Sequence, residues 1–108
     1  MSDTIVVHKG RTNTVTVSMG IDVSGDEITS EIRTISGILI AKWDVRFDSD
    51  GTDGELILRM DNSVTGAITE PSGLMDLLRV SGGEPLPVFD MPLEVEFRET
   101  VTDPAVPI

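Results

Sequence analysis

The sequence contains no cysteine and no tyrosine, and only one histidine and one tryptophan. Without cysteine there is neither a disulfide framework nor thiolate chemistry, and zinc is left with weak ligand sets. Aromatic side chains are limited to Trp43, Phe47, Phe89 and Phe97, too few for the stacking surface on which proteins hold single-stranded nucleic acid. Bases are scarce as well: 8 Lys and Arg stand against 19 Asp and Glu, a formal net charge of −11. Such a surface repels a phosphate backbone, so no nucleic-acid partner is expected. No stretch approaches the roughly 20 apolar residues needed to cross a bilayer, and MSDTIVVHKG lacks the basic-then-apolar order of a secretory signal. No membrane partner is expected, and synthesis is assigned to a cytoplasm.

What is present is alternation. With 39% hydrophobic residues in 108, the chain suits one domain with a modest core. TNTVTVSM sets Val15, Val17 and Met19 against Thr14, Thr16 and Ser18, the period of a half-buried strand rich in β-branched residues. The same period puts Ile28, Ser30 and Ile32 on one face, then Ala41, Trp43, Val45 and Phe47, then Leu56, Leu58 and Met60, then Leu93, Val95 and Phe97. Turn chemistry separates these runs at Ser24-Gly25-Asp26, Ser36-Gly37, Asp50-Gly51, Asp53-Gly54 and Gly82-Gly83. Short strands at this spacing predict an all-β sandwich. Residues 61–73 break the rhythm and predict a loop with one helical turn, capped by Asp61 or Asn62 and stopped by Pro71. Pro85 and Pro87 place PLPV at an edge or in an extended linker. In LMDLLRV, Asp76 shares its phase with Leu74, Leu78 and Val80, so either it is a buried carboxylate or Met75 and Leu77 form the inner face.

The stretch FDSDGTDGE, residues 47–55, is the one place that invites site chemistry. Counted from Asp48 as an EF-hand loop, position 6 is Asp53 rather than glycine, position 12 is Arg59 rather than glutamate, and the flanks read as strands. A looser calcium site on Asp48, Asp50, Asp53 and Glu55 is the alternative, but the solvated tip of a hairpin accounts for both Asp-Gly pairs without a metal. His8 has no nucleophile motif beside it, and Gly82-Gly83 lacks the GK[ST] of a phosphate loop. No catalytic residue, metal or cofactor is therefore assigned, and the chain is expected not to be an enzyme. Trp43 reads as a core anchor before it reads as a binding hot spot.

The remaining candidates are surfaces. TIVVH near the start, within residues 1–10, is an edge strand or an N-terminal arm, and VTDPAVPI has no alternation, so residues 103–108 are expected to leave the domain as an extended tail. Interface residues expected on this basis are Ile5, Val6, Val7, Phe89, Met91, Pro104, Val106 and Ile108. Phe89 and Met91 serve equally well as a plug over the core.

Taken in order, VTV, ITSEIR, ILIAKWDV, an Asp-Gly turn, GELILRM, VTGAIT, GLMDLLRV, SGGE and PLPVFDMPLEVEFRETVTDP outline a layout over residues 12–103. This layout resembles the small immunoglobulin-like β-sandwich proteins of tailed bacteriophage virions, and is similar to the N-terminal domain of siphophage baseplate upper proteins. In that family a tyrosine stands where this chain has Met75, and a glycine where it has Asp90-Met91-Pro92; Thr100-Val101-Thr102 fits the finish. The resemblance implies an immunoglobulin-like antiparallel sandwich of about 7–8 strands. It implies a structural virion protein of the tail, baseplate or neck, with other virion proteins as partners and many copies, or a homo-oligomer, in the particle. A capsid decoration protein is the alternative within that class, and a calcium- or carbohydrate-binding module the alternative outside it.

Overall fold

The computed structural model describes residues 4–88 and 92–100. The chain is all-β; among the described residues it has strands β1 (Thr4–His8), β2 (Asn13–Ser18), β3 (Glu27–Arg33), β4 (Leu39–Phe47), β5 (Glu55–Met60), β6 (Ser72–Ser81), β7 (Glu84–Pro87) and β8 (Leu93–Arg98), and a single helical turn, α1 (Asn62–Thr65). The strands form one path in the order β1-β8-β6-β3-β4-β5-β2, with β7 paired to β6 beside it. No helix among the described residues is long and apolar enough to cross a membrane.

Alternation decides which faces meet. Ile32, Trp43, Leu56, Leu58, Met60, Leu77, Val95 and Phe97 belong to a single buried cluster contributed by strands along most of the path. The path therefore curls until its inner faces enclose one core. Full burial of a large aliphatic or aromatic side chain contributes about 1.5–3 kcal/mol, so these residues outweigh any surface ion pair. Ser30 takes an inward position and stays satisfied because its hydroxyl donates to the Asp76 carbonyl at 2.7 Å. Trp43 is 5% exposed, and its indole N–H finds no acceptor among the described residues.

The curl is produced by β4. Its first half pairs with β3, up to Ser30↔Trp43, and its second half pairs with β5, from Asp44↔Arg59 to Phe47↔Leu56. Between Ile32↔Ala41 and Arg33↔Leu39 the ladder carries one extra β4 residue, Ile40. Such a bulge sharpens the local twist. It also lets Ile40 pack on the core beside Ala41.

Two expectations are corrected, the all-antiparallel sheet and the end of the helical turn, and two open readings are decided. The sheet is mixed: β1 runs parallel to β8, in register from Thr4↔Glu94 to His8↔Arg98. Of the two readings of residues 4–8, the edge strand is the one that forms, and Val7 is fully buried in the core. In β6, Met75 and Leu77 are the buried phase while Asp76 is exposed and Leu78 is 41% exposed. The helical turn forms, but it ends at Gly66 rather than at Pro71, and Asp61 caps it by position alone while its carboxylate pairs with Arg59 at 2.8 Å.

The edge reading of PLPV holds, and the register shows why. Gly82 and Gly83 have φ of +60° and +82°, the conformation of a type I′ two-residue hairpin. Ser81↔Glu84 is then the bonded pair next to the turn, and Pro85 and Pro87 oppose Val80 and Leu78 at the non-bonded positions. Both prolines lose an N–H that would have pointed away from β6, so β7 pairs normally on one side and presents a depleted edge on the other.

Candidate functional site

The acidic stretch lies in the connection from β4 to β5, and each carboxylate with a partner is occupied locally. Asp50 Oδ1 accepts from the Thr52 hydroxyl at 2.6 Å and from the Thr52 N–H at 3.0 Å. These bonds, the hydroxyl first, hold the Asp50 carboxyl below the usual range. Asp53 accepts from the Glu55 N–H at 3.0 Å and from the Ser49 hydroxyl at 3.3 Å, and Glu55 accepts from Ser18 at 2.8 Å. Nothing in this geometry gathers Asp48, Asp50, Asp53 and Glu55 around one point. Among the described residues no group of three or more His, Asp or Glu is placed to hold a metal ion.

The tip is not free on all sides, as a plain solvated hairpin would be. Its glycines are buried under the connection from β2 to β3: Gly51 C=O accepts from Val23 N–H at 2.9 Å and Gly54 C=O from Met19 N–H at 2.8 Å. A side chain at Gly51 would meet the Ser24 Cα at 2.8 Å. Val23, 1% exposed, is the apolar pin of this contact. Asp22 on the same connection is held below the usual carboxylate range by the Ser24 N–H, against the field of Asp50 and Asp26. The loop is thus a packed, self-bonded structure with an acidic outer surface.

The edge of β1 is built differently. Lys9 N–H donates to the Arg98 C=O at 2.9 Å. In a parallel ladder alternate residues address alternate sides, so Ile5 and Val7 bond β8, whereas Thr4, Val6 and His8 present their backbone groups outward. At His8 those groups are taken by Asn13, whose Oδ1 accepts the N–H at 2.9 Å and whose Nδ2 donates to the C=O at 2.9 Å. Before His8, no described strand pairs with that side of β1. Of the expected interface residues, Ile5 packs on the core, Val7 is buried within it, and Val6 is half-buried. This strand therefore offers a partner its backbone and Val6 rather than three apolar side chains. Phe89, Met91, Pro104, Val106 and Ile108 lie outside the described residues, as does the tail at 103–108.

Sequence reasoning missed three features. Asn13 is 8% exposed and Thr65 is fully buried. The Thr65 hydroxyl donates to the Arg11 C=O at 2.6 Å, and the Asn13 amide donates to the same carbonyl at 2.9 Å. Together they tie α1 and the turn after β1 into one unit, which no local pattern announces. The third is the β3–β4 hairpin tip, where Ile35 is 91% and Ile38 67% exposed. Its signal was legible: two isoleucines flank a Ser-Gly turn that needs neither. No family model matches the chain, and no curated protein matches it either.

Proposed function

We propose that this chain is a non-enzymatic structural component of a tailed bacteriophage virion, an immunoglobulin-like sandwich that attaches to the tail, baseplate or neck through a sheet edge. The strand layout that resembles the virion family supports this reading, and so does the commitment of the acidic loop to its own packing. The observation that carries it is the outer edge of β1. Thr4 and Val6 present backbone donors and acceptors with no described strand beside them, the condition for strand addition by a partner. The edge at PLPV is set aside for this role, because Pro85 and Pro87 remove the outward donors. Repetition of a weak edge contact on a symmetric scaffold gains strength by avidity.

Deleting residues 1–8 would not test this, since it removes the buried Val7 and a whole ladder. The test is Val6→Pro, which deletes an outward N–H while leaving the core in place. The variant should fold, as judged by circular dichroism and Trp43 fluorescence, yet be missing from purified particles that contain the wild type. Normal incorporation of the variant would overturn the edge as the attachment point, and absence of the wild-type chain from particles would overturn the virion role itself. Copy number in the same preparation separates tail from shell: hundreds per particle would favour capsid decoration.

A further inference from the structure

A groove of about 820 Å³ lies where the starts of β1, β6 and β8 meet the β3–β4 hairpin tip. Leu74 and Pro71 contribute apolar surface to it, and Ile35 forms a wall. On its rim stand Glu70, Glu94 and Glu96, and neither lysine nor arginine lines it. Glu96 is paired with Arg98 at 3.0 Å, but Glu70 and Glu94 meet no cation among the described residues.

The wall is rigid. Gly37 N–H donates to the Thr34 C=O at 2.9 Å, Thr34 N–H to the Ile38 C=O at 2.8 Å, and Ile38 N–H to the Thr34 hydroxyl at 3.1 Å. Arg33 adds a bond to the Gly37 C=O at 2.9 Å, and Gly37 takes φ +94°. Ile35 and Ile38 thus stand out into water on a hydrogen-bonded tip. Apolar surface rimmed by polar residues is the form that an interaction groove takes, and preorganisation lowers the cost of using it.

We infer that this groove and the Ile35 tip dock an extended segment of another protein in which apolar side chains alternate with lysine or arginine. Charge selects the occupant. A second copy docked groove to groove would bring the same glutamates to the contact, and docked by any other surface it would still carry an overall charge of −11; like charges placed together oppose association. A basic segment would neutralise Glu70 and Glu94 while its apolar residues cover Ile35 and Leu74. The inference rests on the assembly role proposed above, to which it adds a second contact that adjoins the β1 edge at Thr4.

The probe is a capped pentapeptide of alternating lysine and isoleucine, titrated into the full-length protein at low salt and followed by amide chemical shifts. Shifts should concentrate at residues 34–36, 73–74 and 94–96. Ile35→Ser should weaken binding on the order of tenfold, and Glu94→Gln roughly threefold with a shallower salt dependence. Equal binding of a control peptide with glutamate in place of lysine, or with serine in place of isoleucine, or indifference to both variants, would overturn the inference. So would a dimer in sedimentation that Ile35→Ser abolishes, which would make the occupant a second copy. A chain that binds the peptide but is absent from particles would retire the virion role and leave the groove. A chain present in particles whose groove ignores the peptide would do the reverse.

Discussion

The side chain of Asn13 stands in for a strand beside His8: one carboxamide accepts the His8 N–H and donates to the His8 C=O, both at 2.9 Å. The same Nδ2 also donates to the Arg11 C=O at 2.9 Å, so a single buried group closes the turn between β1 and β2. Leaving those backbone groups unmet costs about 1–3 kcal/mol for each one that stays buried. Asn13→Ala should lower the urea-unfolding free energy by about 2 kcal/mol, read from the fluorescence of Trp43. Asn13→Asp should be no better, because a carboxylate cannot donate to the two carbonyls.

Asp26 and Arg79 tie the start of β3 to β6, with side chains only 9% and 22% exposed. The bond from Arg79, then one from Ser81, holds the Asp26 carboxyl below its usual range. A carboxyl depressed by folding stabilises the fold above its unfolded pKa of about 4, and that contribution is lost as pH falls through the lower folded value. Asp26→Asn should therefore be less stable than the wild type at pH 7. The gap between their urea midpoints should close as pH is taken down through the acid range; a gap that persists unchanged would mean that charge is not its source.

Gly54 and Gly83 both take positive φ, +75° and +82°, but their surroundings differ. A Cβ at Gly83 meets nothing, whereas one at Gly54 would land on the Ile21 carbonyl oxygen and lie 3.1 Å from the Gly20 nitrogen. Gly83→Ala should cost about 1 kcal/mol, the conformational term alone. Gly54→Ala should cost clearly more, by about 1–3 kcal/mol, because packed backbone must move. Thermal melts of the two variants side by side would show whether the β2–β3 connection holds the acidic loop as tightly as the geometry indicates.

The two prolines of β7 predict an aggregation phenotype. Replacing Pro85 and Pro87 together by threonine restores two outward N–H groups at an edge strand. Sedimentation of the double variant should shift to larger species with concentration when compared with the wild type under the same conditions. An unchanged profile would show that the prolines serve the turn rather than the edge.

Much of this architecture was readable residue by residue, because burial and period agree. Trp43, Leu58 and Val95 point inward as their alternation requires, and even Ser30 could be placed by phase although it is polar. Period alone failed in β6, where Leu74 and Leu78 on one face compete with Met75 and Leu77 on the other; two apolar phases carry no preference until neighbouring strands choose. The parallel pairing of β1 with β8 was hidden for a different reason, since it joins residues about ninety positions apart and leaves no local mark. The groove escaped because Ile35 and Glu94 acquire meaning only when brought together.

Co-directional β1 and β8 have a mechanical corollary. Because Thr4 sits beside Glu94 and His8 beside Arg98, the chain enters β1 at one pole of this ladder and leaves β8 at the other. Tension applied through those two points drives the strands past each other lengthwise, so the rungs between them are strained simultaneously instead of being peeled off singly. Such a joint resists traction along its long axis far better than a hairpin does.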